Sequence, residues 1–152
     1  MPEQVEILLV DDNDADVELT VRALRAQGIA SRIHTAANGE AALEFLFCRG
    51  THAGRSFTAP PRVVLLDLKM PKVDGIEVLR AIRGDPRTRA IPVAILTSSK
   101  EQRDLVESYR LGVNAYVQKP VGSEDYRQVI EALGNFWLGT NQPPPSGAFS
   151  AG

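Results

Sequence analysis

Ile7-Leu8-Leu9-Val10-Asp11-Asp12 is an unbroken apolar run that ends in two carboxylates. Three further runs share its form. Val63-Val64-Leu65-Leu66 ends in Asp67, Val93-Ala94-Ile95-Leu96 ends in Thr97, and Ala115-Tyr116-Val117-Gln118 ends in Lys119-Pro120. A strand that is apolar at consecutive positions is buried on both faces, as in a parallel sheet covered by helices. In open sheets of that kind, ligands bind beyond the carboxyl ends of the strands. The four runs therefore point three carboxylates, one hydroxyl and one ammonium towards a common crevice. Such a crevice suits a divalent cation and a phosphoryl group.

Working outward, strand-like runs alternate with helix-period stretches, the rhythm of an α/β fold with a parallel sheet and helices on both faces. Strands are expected near 5–10, 32–36, 62–67, 92–97 and 114–118, and helices near 14–27, 39–48, 74–83, 101–111 and 123–138. In the first helix Val17, Val21 and Leu24 recur at helical spacing, and Gly28 supplies a C-terminal stop. Ser123 has the chemistry of an N-cap for the last helix. Arg49 to Arg62 carries glycines and prolines with no apolar period and is expected to be a long loop. Residues 1–138 form the expected domain, and 139–152, rich in Pro, Gly and Ser, the expected disordered tail.

At 152 residues, one domain is the natural expectation. The net charge of -2 and the scattered basic residues count against nucleic-acid binding. Cys48 is alone, so an intrachain disulfide is impossible, which fits a cytoplasmic location. No signal peptide and no apolar run of membrane-spanning length is read, so no membrane partner is expected. Neither a P-loop nor a glycine-rich nucleotide loop occurs, and no helix-turn-helix is read.

Charge sets the chemistry of the crevice. Two carboxylates about 4 Å apart repel by roughly 4 kcal/mol at an effective dielectric near 20. Asp11, Asp12 and Asp67 can share a crevice only with a cation or with raised pKa values. Mg²⁺ takes oxygen ligands from one or two carboxylates, with waters and phosphate oxygens completing its shell. Thr97 can hydrogen-bond a phosphoryl oxygen, and Lys119 can place a point charge on one. A carboxylate can itself be the nucleophile and carry an aspartyl-phosphate.

These residues resemble the CheY-like receiver domain of two-component response regulators. The motifs are Val10-Asp11-Asp12, Leu66-Asp67-Leu68-Lys69-Met70-Pro71, Asp74-Gly75, Leu96-Thr97-Ser98 and Gln118-Lys119-Pro120, in the family's order and spacing over roughly residues 5–138. The resemblance implies a (βα)5 doubly wound parallel sheet of flavodoxin-like strand order 2-1-3-4-5. It implies that Asp67 accepts phosphate from a histidine kinase. Asp12, Asp67 and the main-chain carbonyl of Lys69 are then the direct Mg²⁺ ligands, and Asp11 holds a metal-bound water. Thr97 and Lys119 hold the phosphoryl group, and Thr97 and Tyr116 form the conformational switch. A cis Lys119–Pro120 bond, common in the family, is also implied. Lys69 and Ser99, two positions after Asp67 and Thr97, occupy the places that tune hydrolysis of the aspartyl-phosphate, and both depart from common receiver patterns.

The long loop, the Asn135-Phe136-Trp137-Leu138 helix end and the Pro-rich tail are similar to stand-alone regulators paired with bacterial phytochromes. That likeness implies a red-light histidine kinase as partner, and some such regulators are homodimers. Adjacent helical residues point about 100° apart, so Phe136 and Trp137 cannot share one core stripe. Val129, Ile130 and Leu133 mark the core face. One aromatic is left for the tail or a partner to cover. Leu105, Tyr109, Val117, Phe136 and Trp137 are the expected homodimer interface, and the downstream protein target is unknown.

Other readings remain beside this one. Asp11 and Asp12 can simply open a helix, where the macrodipole favours acids, and Asp14 and Asp16 fit that role better still. An aspartyl phosphatase normally needs a second Asp two residues after its nucleophile, and Lys69 stands there. A degenerate receiver serving only as a scaffold conflicts with the complete Asp-Asp-Asp-Thr-Lys set. His34, His52 and Cys48 lack partners at metal-ligand spacing and read as structural.

Overall fold

The computed structural model describes residues 4–28 and 32–150. Five parallel strands, β1 (Ile7–Val10), β2 (Ile33–Ala36), β3 (Val63–Leu66), β4 (Val93–Thr97) and β5 (Ala115–Gln118), form one sheet of order β2-β1-β3-β4-β5. Five α-helices alternate with them: α1 (Asp14–Ala26), α2 (Gly39–Leu46), α3 (Gly75–Arg83), α4 (Gln102–Arg110) and α5 (Ser123–Gly134). This is the doubly wound order implied by the resemblance.

The continuous apolar runs belong to the interior strands because both of their faces are covered. Every residue of β1, β3 and β4 is buried. Side chains alternate across the sheet. Leu8, Val10, Val64, Leu66 and Ile95 pack with α2 and α3 residues such as Phe45, Val78 and Ile82. Ile7, Leu9, Val63, Leu65 and Leu96 face the opposite layer, with Leu24 of α1 and Tyr126 and Ile130 of α5. A buried hydrogen bond at 3.0 Å joins the Thr20 and Tyr126 hydroxyls across α1 and α5. The edge strands β2 and β5 are only partly buried.

Short polar side chains start the first three helices. Asn13, Asn38 and Asp74 each accept a main-chain N–H from the residue three positions on, satisfying a donor that the helix itself leaves free. Ser123 does not do this: it is the first helical residue of α5, and Gly122 holds the cap position without a side-chain bond. The Tyr126 N–H donates to the Gly122 carbonyl at 2.9 Å, so the extended cap falls one residue before the serine. Gly75, at the start of α3, has a specific role. A Cβ there would lie 2.3 Å from the Asp67 carbonyl oxygen, so only glycine lets α3 begin against the end of β3.

Two expectations about the C-terminus are corrected. The last α-helix stops at Gly134 and passes into a π-helical turn, Asn135–Thr140. Its core stripe runs through Tyr126, Ile130 and Trp137, with Val129 and Leu133 at the margin. Trp137 is 6% exposed and Phe136 46%, so the aromatic left over is Phe136. Nor is the described part of 139–152 a disordered tail. Pro143, Pro144 and Pro145 lead into a 3-10 turn, Ser146–Phe149, and Phe149 is 1% exposed within the α2–α3 core layer. Prolines restrict the unfolded chain and so reduce the entropy that docking an aromatic must overcome. Arg62 also donates to the Leu138 carbonyl at 2.9 Å, tying the π turn to the start of β3.

The long loop is packed down. Residues Gly50–His52 form a 3-10 turn. His34 stacks on Phe45 with ring centroids 4.5 Å apart, His52 meets both rings edge-on, and the Arg55 guanidinium lies 3.7 Å from the Phe45 centroid. His34 and His52 are thus packing residues, as expected. Among the described residues no peptide bond is cis, so Lys119–Pro120 is trans, against the expectation.

Candidate functional site

The parallel register delivers the site. Val10 of β1 lies opposite Leu66 of β3, and Leu66 lies opposite Ile95 of β4. Asp11, Asp67 and Thr97 therefore finish three adjacent strands at the same end of the sheet. Thr97 lies opposite Gln118 of β5, one residue before Lys119, and Lys119 N–H donates to the Thr97 carbonyl at 2.6 Å.

Asp11, Asp12 and Asp67 each offer a carboxylate oxygen, and these oxygens all lie within 4.8 Å of one another. Asp11 and Asp67 are buried, and Asp12 is exposed at the mouth. Main-chain N–H groups brace two of them: Asn13 donates to Asp11 Oδ1 at 2.9 Å, and Lys69 donates to Asp67 Oδ1 at 3.3 Å. The Lys119 ammonium, its side chain 7% exposed, enters this cluster and lies 2.8 Å from Asp11 Oδ2, 2.9 Å from Asp16 Oδ2 and 3.3 Å from Asp67 Oδ2.

The electrostatics follow from that crowding. Burial pushes the Lys119 amine down, but hydrogen bonds to Asp11 and Asp16 and the charge of Asp67 outweigh it, so the ammonium is held well above its usual range. Burial pushes the Asp11 carboxyl up, and Lys119 and the Asn13 N–H oppose that shift only in part. Three hard oxygen donors in one mouth, one of them open to solvent, fit a small divalent cation that keeps several waters.

Thr97 is fully buried, and its hydroxyl oxygen accepts the Ser99 N–H at 3.3 Å. Tyr116 packs on the α2–α3 layer. Its hydroxyl is enclosed near Ser99 without a partner of good geometry, and burial pushes its phenol up. Lys69 points to α4, 3.1 Å from Asp104 Oδ2 and 3.8 Å from Glu101 Oε1. Two residues were missed from the sequence. Asp16, read as a first-turn partner of the helix dipole, is also a Lys119 ligand, and Asp104 gathers Lys69 and Ser99. Neither contact has a sequence signal, because each joins residues on different elements.

The expected interface residues differ in exposure. Leu105 and Tyr109 are exposed on α4, on the Tyr116 side of β5. Val117 and Phe136 line a separate groove of about 750 Å³ between β5, α5 and the tail. Trp137 lines the floor of that groove from within the core.

Residues 7–131 match the family model of the response regulator receiver domain, and the chain belongs to that family. It is 45% identical over 138 residues to the probable methanogenesis regulatory protein FilR2 of Methanothrix harundinacea, covering 91% of this chain and 86% of that one. It is 37% identical to the response regulator Rcp1 of Synechocystis, over 88% of this chain and 89% of that one. The Mn²⁺-bound structure of Rcp1 superposes with a TM-score of 0.85 at 36% identity, covering 93% and 99% of the two chains. The structure of the bacteriophytochrome response regulator AtBRR is 48% identical, with a TM-score of 0.70, and covers 93% of this chain and all of that one. Receiver domains are phosphoacceptors for histidine kinases and bind a divalent metal at their acidic pocket. Among the described residues no helix is long and apolar enough to cross a membrane.

Proposed function

We propose that this chain is a single-domain, cytoplasmic response regulator whose phosphoacceptor is Asp67. The observation that carries the reading is the meeting of Asp67 with the Asp11 and Asp12 carboxylates on one side and the Lys119 ammonium on the other. Relatives of nearly the same length support the single-domain part. Residues 1–138 are the receiver, and 139–152 is an appended arm.

The roles follow from the chemistry of each side chain. Asp67, Asp12 and the Lys69 carbonyl would hold Mg²⁺, with Asp11 holding one of its waters. The cation supplies charge neutralisation as the phosphoryl group approaches. An Asp67 oxygen attacks phosphorus and displaces the histidine of the kinase. Lys119 then exchanges a carboxylate contact for the more highly charged phosphoryl group, and the Thr97 hydroxyl donates to one of its oxygens. Movement of Thr97 and Lys119 at the ends of β4 and β5 alters the space around Tyr116, whose unpartnered hydroxyl makes its present position costly. Phosphorylation thus shifts a population between two states. Hydrolysis of the aspartyl-phosphate is slow, and Lys69 and Ser99 stand at the two positions beside its path, with the Lys69 ammonium turned onto α4.

The kinase partner is a phytochrome-type histidine kinase. Support comes from the likeness to AtBRR over nearly the whole chain. The output is a changed protein-binding surface, and a second copy of this chain docks on the groove that Val117 and Phe136 line.

The test is labelling by acetyl phosphate with Mg²⁺. Wild type takes up one phosphoryl group per chain and Asp67→Asn takes up none. Labelling of that variant at the wild-type level overturns the assignment. Transfer from a purified phytochrome-type kinase within minutes tests the partner separately.

A further inference from the structure

Lys69 follows the phosphoacceptor by two residues, and its ammonium is turned away onto α4. Its partner there, Asp104, is 9% exposed and accepts two charge-relevant contacts on the same oxygen: Lys69 Nζ at 3.1 Å and the Ser99 hydroxyl at 2.6 Å. Ser99 in turn donates its N–H to Thr97 Oγ1 at 3.3 Å, and its hydroxyl oxygen accepts the Glu101 N–H at 3.3 Å. One carboxylate on α4 therefore gathers the loops that follow both β3 and β4. Glu101, 3.8 Å from the ammonium and about half exposed, is the weaker partner.

We propose that Asp104 is a positioning residue for the aspartyl-phosphate: it holds the Lys69 ammonium off the phosphoryl group and thereby keeps the face of attack open to water. This rests on the phosphoacceptor reading of Asp67. Burial pushes the Asp104 carboxyl up, yet the Ser99 hydroxyl and Lys69 ammonium outweigh it, so the group stays ionised and holds its lysine. The Asp104 bond is also the main force raising the Lys69 amine.

In hydrolysis a water oxygen bonds to phosphorus as the bond from phosphorus to the Asp67 oxygen breaks. Asp67 returns as a carboxylate, and the water's protons pass to the released phosphate and to solvent. The nucleophile approaches opposite Asp67, from the open side of the crevice. A lysine freed from Asp104 has a long flexible stem and a cation that seeks phosphoryl oxygens. Placed there, its stem excludes water and its charge stabilises the phosphorylated ground state. Asp104 therefore favours a shorter lifetime of the mark, and it does so from the helix next to Tyr116.

The experiment follows decay of labelled protein after removal of acetyl phosphate, with Mg²⁺ present. Asp104→Asn keeps the shape and an acceptor for Ser99 but loses the charge that holds Lys69. It is expected to lengthen the lifetime roughly three- to tenfold, the weight of one hydrogen bond of ordinary strength, since the Lys69 side chain is half exposed to solvent. In a Lys69→Met background the same substitution is expected to change nothing, a result that a merely structural role for Asp104 does not produce. Lys69→Met alone is expected to shift the lifetime by less than about twofold, because a lysine turned away from the phosphoryl group contributes little. A change of more than about twofold in Lys69→Met alone means that the ammonium already acts on the phosphoryl group, and it overturns the proposal even where Asp104→Asn folds poorly. An unchanged or shortened lifetime in Asp104→Asn, or the same lengthening without Lys69, overturns the proposal. Failure of the wild type to label overturns the phosphoacceptor reading itself.

Discussion

Lys119 and Asp16 stand 103 residues apart in the chain, yet the Lys119 ammonium donates to Asp16 Oδ2 at 2.9 Å. The first turn of α1 thus helps to hold the lysine that closes the site from β5. The two ends of that bond are unequal. Lys119 is buried among three carboxylates, whereas the Asp16 side chain is about one quarter exposed.

That inequality sets the first prediction. Removing one partner of a buried charge cluster leaves the others uncompensated and costs about 3–5 kcal/mol. Lys119→Met should lose stability on that scale in the absence of divalent cation. Asp16→Asn should lose about 1 kcal/mol or less, because Lys119 keeps Asp11 and Asp67 and the lost pair is partly solvated. Urea denaturation with EDTA measures both. Equal losses would show that Lys119 draws its stability from Asp16 alone.

The metal prediction separates the exposed acid from the buried ones. Asp12 lies at the mouth, and Asp11 and Asp67 lie beneath it. A cation at 100 times its Kd raises stability by about 2.7 kcal/mol. Asp12→Ala should abolish the Mg²⁺-dependent rise in Tm while leaving Tm in EDTA unchanged or higher, since one repelling carboxylate is gone. A full Mg²⁺ shift in that variant would place the cation elsewhere.

The strand-end chemistry was legible because β1, β3 and β4 are buried on both faces, so Asp11, Asp67 and Thr97 interrupt apolar runs where the chain leaves the sheet. Lys119 was legible for the same reason, though β5 is an edge strand. What escaped has a common cause. Asp16 and Asp104 occupy helix first turns, where an acid is ordinary, and only the tertiary fold turns them to Lys119 and Lys69. Trp137 and Phe136 were ambiguous because the choice depends on where the stripe from Tyr126 and Ile130 leads. Phe149 was hidden by its context: a Pro, Gly and Ser-rich segment has the composition of disorder, and a single aromatic docking under a loop has no period.

Acid sensitivity should centre on His34. Burial lowers its imidazole below the ordinary 6.5, and the nearby His52 and Arg55 lower it further. The unfolded chain then takes up the proton first as pH falls. The contribution of His34 is therefore complete above about 6.5 and is lost as pH falls through the window down to its lower folded value. His34→Phe keeps a ring against Phe45 and removes the titration. Wild type should lose stability relative to this variant as pH falls below about 6.5. Parallel Tm curves over that range would exclude His34 as the sensitive group.

The appended arm should be integral to the fold. Phe149 is 1% exposed among the α2 and α3 core residues. Truncating a core phenylalanine to alanine costs about 3–5 kcal/mol. Phe149→Ala should show a loss in that range. Urea unfolding measures it, and a loss below about 0.5 kcal/mol, the scale of an ordinary surface substitution, would return the segment to the status of a loose tail.

Phe136 and Trp137 separate assembly from folding. Their rings meet edge-on with centroids 5.0 Å apart, yet one is buried and the other almost half exposed. Phe136 stands beside an apolar groove that also exposes Val117 on the outer strand of the sheet. A second copy related by two-fold symmetry brings the same ring and strand to the same groove, and two-fold dimers are the commonest soluble oligomers. Phe136→Glu should leave Tm within about 0.5 kcal/mol of wild type in stability terms, because the side chain leaves no core void. The same change should shift a micromolar dimer to monomer in sedimentation, since it puts a charge twice across the symmetry axis. Trp137→Ala should do the reverse in order of effect, costing about 3–5 kcal/mol of folding stability before any change in assembly is read. A wild type that sediments as a monomer at micromolar concentration, with and without beryllofluoride, rules out the dimer. A dimer that survives Phe136→Glu moves its interface away from this groove, with the exposed Leu105 and Tyr109 of α4 as the next place to test.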